Sequence, residues 1–205
     1  MKTRYLNSKL LVALLLLPLE ASAAEGKYSL GLGLGKSLFE LNETNIIANY
    51  SSLTSSSSFT DSSTAFTFFG GIQLDEYLSL DAEFLAGGDI VATEVGQQFK
   101  LFDVSSLAFT LALSKRVSES IRLFTRLGVH WWNISASFGD QPTINNAVDL
   151  TYGLGADINL YGDRSRQLRV QWNHYEYDGV FIDYSDTLTL SLLFLFGGDY
   201  KIAKE

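Results

Sequence analysis

Four charged residues have the types and spacing needed to form ion pairs inside a folded chain. Asp81 and Glu83 are two residues apart, and Arg126 and Arg169 follow in later segments. A spacing of two places side chains on one face of an extended strand. Carboxylates and guanidinium groups that face one another form charge-assisted hydrogen bonds, and buried charges need such partners. We therefore predict an ion-pair network of these four residues, which either staples a closed interior or acts as a gate.

The two histidines are the residues that could support acid–base or nucleophilic catalysis. His174 is followed by Glu176, and His130 lies beside Trp132. A hydrolase would combine such a histidine with a serine or an aspartate, but no serine stands two positions after His174. We predict that the protein is not an enzyme and that His130 fills the interior. The sequence also indicates no metal site and no cofactor, since it contains no cysteine and no phosphate-binding loop.

Eight segments would position these residues, and each alternates apolar with small or polar side chains. They cover residues 27–35, 64–74, 78–84, 102–114, 121–135, 148–160, 168–173 and 187–196. Alternation with a period of two predicts strands that have one apolar face. Residues 100–106 break the pattern, which predicts a β-bulge there. After residue 24, no apolar run approaches the roughly 18–20 residues of a membrane-spanning helix.

Charged residues on the polar face indicate which way the strands face. They are Lys27, Asp81, Glu83, Arg126, Asp157 and Arg169. Charges on five strands suit a polar lumen better than a dry core, so the apolar face would meet lipid. The predicted fold is all-β, an eight-stranded antiparallel up-and-down transmembrane β-barrel. The side chains that point inward would nearly fill the interior of a barrel of this size.

Connection lengths and aromatic residues agree with this orientation. Short connections at 75–77, 115–120 and 161–166 alternate with longer ones at 40–63, 87–101, 136–146 and 177–186, as in outer-membrane barrels with long external loops. Aromatic residues are expected at both membrane interfaces. Those predicted at the inner interface are Tyr28, Tyr77, Tyr161, Phe194 and Phe196, and those at the outer one are Phe66, Phe102, Trp131 and Trp172.

The N-terminal segment and the charge limit the protein's location and partners. Residues 1–23 combine basic residues, the apolar run 10–17 and a small-residue cleavage site, so we predict a Sec signal cleaved after Ala23. Residues 24–205 would then form one barrel domain with a short periplasmic tail at 197–205. The chain's net charge of −8 argues against a nucleic-acid partner. Acidic residues crowd the longer loops, where they either solvate the loops or hold divalent cations that bridge to lipopolysaccharide.

From the second strand to the last, the chain resembles the membrane domain of the OmpA family of eight-stranded barrels. The matching stretches are FGGIQLDEYLSLDAEF (69–84), LALSKRVSESIRLFTRLGVHWW (111–132), RVQWNH (169–174) and DTLTLSLLFLF (186–196). The resemblance implies that Asp81 pairs with Arg169 and that Arg126 lies in the lumen. The family's second carboxylate on the seventh strand is Gln171 here, and nothing after Phe196 resembles a peptidoglycan-binding domain.

Together these features predict a monomeric protein of the bacterial outer membrane with a structural or interaction role. Its external loops would form the contact surface for an extracellular ligand. The expected partners are outer-membrane lipid, lipopolysaccharide, the barrel-assembly machinery and periplasmic chaperones. A low-conductance gated channel for ions or small solutes is the alternative, and an enzyme that modifies lipid or peptide is the third hypothesis.

Overall fold

The computed structural model describes residues 27–50, 53–136, 144–160, 163–179 and 181–197, which are mostly strand. The elements are β1 (Lys27–Leu41), α1 (Glu43–Asn49), β2 (Ser58–Phe59), β3 (Ser62–Gln73), β4 (Leu78–Glu94), β5 (Gln97–Arg116), β6 (Ile121–Ala136), β7 (Ile144–Leu160), β8 (Asp163–Glu176) and β9 (Ile182–Phe196). Among these residues, no helix is both long and apolar enough to cross a membrane. The predicted signal at 1–23 and the tail beyond residue 197 lie outside the described residues.

Eight strands close into a ring of antiparallel pairs. Each of β3 to β8 pairs with the next strand along the chain, β1 pairs with β3, and β1 also pairs with β9, which closes the barrel. The two-residue strand β2 pairs only with the far end of β4 and is not part of the ring. The predicted eight-stranded up-and-down barrel is therefore confirmed.

The alternation in the sequence becomes an alternation between outside and inside. The leucines of the apolar face point outward and are strongly exposed; Leu34 is 63% and Leu127 is 62% exposed. The intervening side chains, such as Thr67 and Thr187, point into the barrel and are fully buried. A soluble barrel would have the reverse arrangement, so the exposed leucines form the surface that contacts lipid.

The two ends of the barrel differ. We call the end with the turns at 74–77 and 117–120 the turn end, and the end with α1 and residues 177–179 the loop end. The sequence predicted a loop at 87–101 on the loop end, and this prediction is wrong. There β4 and β5 continue as a paired hairpin to Glu94 and Gln97, because alternation resumes beyond an irregular stretch.

The irregular stretch contains the predicted bulge, and it corrects the position of one aromatic residue. Gly87 of β4 and Leu101 of β5 have no partner across the β4–β5 pair, so the register shifts at both positions. Leu101 and its neighbour Phe102 are consequently both buried, whereas strict alternation would expose one of them. Phe102 was expected at the outer membrane interface, but it points inward and is fully buried.

The tip of the β4–β5 hairpin yields a prediction about stability. Val95 and Gly96 form the two-residue turn, with φ angles of 48° and 76°. Turns with two positive φ angles favour Asn-Gly, and a β-branched side chain is strained there. We expect Val95→Asn to raise the free energy of unfolding by about 1 kcal/mol, measured by urea titration of the protein in lipid vesicles.

A matched valine separates this effect from the change in polarity. Val117 is 56% exposed at the turn end, and Val95 is the only described non-glycine residue with positive φ. Val117→Asn should change the free energy of unfolding by less than about 0.5 kcal/mol, as surface substitutions usually do. Equal effects of the two substitutions would contradict the explanation from backbone strain.

Candidate functional site: the closed lumen

The middle of the lumen is organised around Glu83, whose side chain is fully buried. Arg126 Nη1 donates to Glu83 Oε2 at 2.5 Å, and Gln171 Nε2 donates to the same oxygen at 2.9 Å. The other oxygen, Oε1, accepts from the Tyr175 hydroxyl at 3.0 Å and from Asn173 Nδ2 at 3.3 Å. At position 171 the family pattern has a carboxylate, but this chain has a glutamine. Its amide donates a hydrogen bond to Glu83, which is the single carboxylate at the centre of this network.

Arg169 forms a second ion pair nearer the turn end. Its guanidinium donates to both oxygens of Asp157, with Nε–Oδ1 at 2.7 Å and Nη2–Oδ2 at 3.0 Å. Asp81, the partner implied by the family resemblance, is farther away, with Nη1–Oδ2 at 3.8 Å. The principal partner of Arg169 is therefore Asp157, because the two residues lie directly opposite one another on β7 and β8.

Two aromatic rings hold the Arg169 guanidinium from either side. Its Cζ atom is 5.0 Å from the centroid of the Phe69 ring and 4.5 Å from that of Phe124. A Cβ atom at Gly31 would overlap the Phe69 ring, and one at Gly155 would overlap the Phe124 ring. The glycine of β1 thus makes room for Phe69. These five residues form a stack across the lumen, which we call the arginine stack.

The alternation of the sequence placed Asp157 on the inward face but did not assign it a partner. The same alternation places Phe124 and Gly155 inward without giving them a role. The available signal was the large, flat phenylalanine on a face otherwise made of small and polar side chains. Such a ring requires a small residue on a neighbouring strand, and Gly31 and Gly155 supply that space.

The loop-end half of the interior contains a large apolar cluster, which the sequence did not predict. Ile46 of α1 and Phe102 are fully buried, and the Phe102 ring stacks on Phe181 with centroids 5.0 Å apart. The Tyr50 ring packs against both phenylalanines. We call the cluster the apolar plug; its members include Phe39, Ile46, Tyr50, Leu53, Ile90, Leu101, Phe102, Trp132, Ile134, Tyr177, Phe181 and Ile182. The charged lumen therefore ends inside the barrel.

Hydrogen bonds tie the connections to this plug. The Asn42 side chain caps α1 by accepting from the backbone nitrogen of Asn45, and the Asn42 nitrogen donates to the carbonyl of Phe181 at 2.9 Å. The Asp149 carboxylate accepts from Trp132 Nε1 at 2.6 Å and from the Asp178 nitrogen at 2.9 Å. Burial raises the pKa of Tyr177 to about 12, so this phenol stays neutral within the plug.

The histidines occupy two different environments. His130 is fully buried, its Nδ1 lies 2.8 Å from the Ser106 hydroxyl, and its Nε2 lies 2.7 Å from the carbonyl oxygen of Glu176. Both ring nitrogens are thus engaged below the surface, and the Ser106–His130 pair is not presented to a substrate. His174 is on the outward face of the barrel, where its ring lies between those of Tyr152 and Tyr184. Its Nδ1 atom is 2.9 Å from Asp186 Oδ1.

Outward-facing aromatic residues lie near both ends of the barrel. At the turn end Tyr77, Phe194 and Phe196 are exposed, and Tyr28 stacks on Phe196. In the loop-end half, Trp131 is exposed and Trp172 packs edge-on against Tyr152. Tyr161 lies outside the described residues. These positions suit the predicted membrane-interface aromatics, whose rings would anchor the barrel in the bilayer.

The closed ring, the exposed leucines and the ion-paired interior define a small transmembrane β-barrel. The chain belongs to the outer membrane protein beta-barrel domain family, which matches residues 10–196. It is accordingly a protein of the bacterial outer membrane, and the predicted location and family are confirmed. No curated protein matches the sequence.

Solved structures of outer-membrane barrels share this fold at low sequence identity. Ail, the attachment invasion locus protein of Yersinia pestis, is 16% identical, with 84% of this chain and all of Ail covered and a TM-score of 0.54. Neisserial surface protein A is 9% identical, with 84% and 98% covered and a TM-score of 0.56. The N-terminal barrel of Pseudomonas aeruginosa OprF is 11% identical, with 82% and 97% covered and a TM-score of 0.52. At these identities the likeness shows the fold alone.

Proposed function

We propose that the protein is a closed barrel with a structural or interaction role and that its loop end is the contact surface. The apolar plug is the observation that carries this proposal. Buried side chains from α1, β5 and the segment after β8 meet there and form an apolar cluster within the described part of the loop-end half. Ions and polar solutes would have to cross an apolar region, which is costly.

The charge of the loop end favours one class of partner. Acidic residues predominate among the exposed side chains there; examples are Glu43, Asp61, Asp89 and Asp183. Ail has been solved in complex with the heparin analogue sucrose octasulfate, which is a polyanion. The acidic loop end of this chain would repel a polyanion and attract a cationic partner. We therefore propose an extracellular ligand with a basic surface.

Neutralising three loop-end acids tests this proposal. Glu43→Gln, Asp61→Asn and Asp183→Asn alter exposed side chains that lie outside the plug. Bacteria that display the triple variant should be retained less than wild type on a polylysine surface, with the difference shrinking as salt increases. Retention on a heparin surface should not fall. The matched control is Glu76→Gln with Glu119→Gln at the turn end, which should behave like wild type; equal loss in both variants would contradict the proposal.

A gated channel is the second candidate, and one observation favours it. Several buried lumenal atoms have no hydrogen-bond partner within the described residues, including Thr67 Oγ1, Asn173 Oδ1 and Arg126 Nε. Polar atoms of this kind are usually hydrated. Conduction would still require both the arginine stack and the apolar plug to move.

Single-channel recording separates the two candidates. We expect the refolded wild-type protein to be silent in planar bilayers, once heat-modifiable gel mobility has confirmed that it is folded. Discrete openings that change in an Asp81→Ala, Arg169→Ala variant would establish the channel and contradict the closed barrel. An enzyme is the least supported candidate, because both nitrogens of the buried histidine are engaged.

A further inference from the structure

The outward surface at the turn end has a groove that the proposed function does not use. The groove measures about 470 Å³, and its lining includes Tyr77, Leu113, Lys115, Leu123 and Thr125. Leu113, Leu123 and Tyr77 are each roughly half exposed. The groove is therefore an apolar depression in the lipid-facing surface of β4 to β6.

The groove exists because a short side chain interrupts the row of outward leucines. Thr125 lies between Leu123 and Leu127 on β6 and directly opposite Leu113 on β5. Its hydroxyl donates to the carbonyl oxygen of Gly153 at 3.2 Å, so its polar atom is satisfied by the neighbouring strand. A leucine at this position would fill the depression. The threonine leaves a shallow, open depression between apolar side chains.

Positive charge lies at the membrane-interface end of this groove. Lys115 follows Leu113 on the same outward face and pairs across the strands with Leu123. Its side chain is exposed. The nearby carboxylate of Asp75 is held by its own turn, where Oδ1 accepts from the nitrogens of Tyr77 and Leu78 at 2.7 Å each.

We propose that this groove is a binding site for an anionic phospholipid of the surrounding bilayer. One acyl chain lies between Tyr77, Leu113 and Leu123 over Thr125, and the lipid phosphate contacts Lys115. Charge complementarity selects the headgroup, because basic side chains at the membrane surface attract anionic lipids. Apolar contact holds the chain in a groove that neutral lipids can also enter. The site is at the opposite end from the acidic loops, so it does not depend on the proposed contact function.

Native mass spectrometry of the refolded protein tests the site. The protein is extracted from vesicles of equal parts phosphatidylglycerol and phosphatidylcholine, and the lipids retained are counted. Wild type should retain phosphatidylglycerol in preference to phosphatidylcholine. Lys115→Gln should lower that preference about fivefold, and Thr125→Leu should lower the retention of both lipids. Two substitutions serve as matched controls on the outward face, Lys36→Gln on β1 and Val148→Leu on β7, and neither should change retention.

The outcomes distinguish the occupants of the groove. Absence of a preference in wild type, or equal loss in the control variants, would overturn the proposal. A change in oligomeric state on Thr125→Leu, without a change in lipid retention, would assign the groove to a second copy of the chain and would also overturn it. Heat-modifiable mobility confirms folding of each variant. Because the charge and groove variants are independent, either one can contradict the proposal if the other fails to fold.

Discussion

Glu83→Ala is expected to lower the free energy of unfolding by about 3–5 kcal/mol, the usual cost of breaking a buried ion pair. The substitution removes the carboxylate that neutralises Arg126, whose side chain is only 1% exposed. It also removes the acceptor for Gln171, Asn173 and Tyr175. A buried guanidinium would then lack its counter-charge and three polar groups would lose a partner. Urea titration of the protein in lipid vesicles measures the loss.

Asp81→Ala is the matched control for this prediction. Asp81 is also a buried carboxylate of β4, two residues away, but its Oδ2 has no hydrogen-bond partner in the described structure and lies 3.8 Å from Arg169. Its removal leaves Arg169 paired with Asp157. We expect a clearly smaller loss of stability than for Glu83→Ala. Equal losses of unfolding free energy in the two variants would show that the hydrogen-bond partners of Glu83 do not determine its contribution to stability.

Arg169→Ala is the second substitution with a large expected effect. It leaves the buried Asp157 without its counter-charge and empties the space between the Phe69 and Phe124 rings. The expected loss is again about 3–5 kcal/mol in the free energy of unfolding. Arg169→Lys should recover only part of it, because an ammonium group can neither form two parallel hydrogen bonds nor lie flat between two rings. The same urea titration ranks the three proteins.

Arg166→Ala provides a control on the same strand. Arg166 is exposed on the outward side of β8, three residues from Arg169, and its loss should change the free energy of unfolding by less than about 0.5 kcal/mol. If Arg169→Lys proved as stable as wild type, the charge alone would account for the role of Arg169. The two aromatic rings and the glycines behind them would then contribute only space filling.

The partners of the charged residues could be predicted only in part. Asp81, Glu83, Arg126 and Arg169 all point inward, as their spacing and the family resemblance indicate. The resemblance also suggested that Asp81 pairs with Arg169, whereas Asp157 is the closer partner. A period of two specifies the face on which a side chain lies, but not its height in the barrel. Height depends on the registers between neighbouring strands, and these are set only when the ring closes.

The apolar plug could not be read from the alternating pattern for a related reason. Ile46, Phe102 and Phe181 come from a loop helix, a bulged strand and a connection, and no periodicity links them. They meet because the barrel brings the ends of distant strands together at one mouth. The bulge at Leu101 then turns Phe102 inward, against its expected place at the membrane interface.

The sequence by itself determined the barrel, its eight strands and the lipid-facing surface. These properties follow from local alternation, since each strand that crosses a bilayer must be apolar on one face along its length. Tertiary structure alone decided that the polar lumen ends at a plug, that Glu83 and Arg169 have separate partners, and that Thr125 leaves a groove between leucines. These features depend on contacts between residues far apart in the chain, which exist only after closure sets the stagger of the strands.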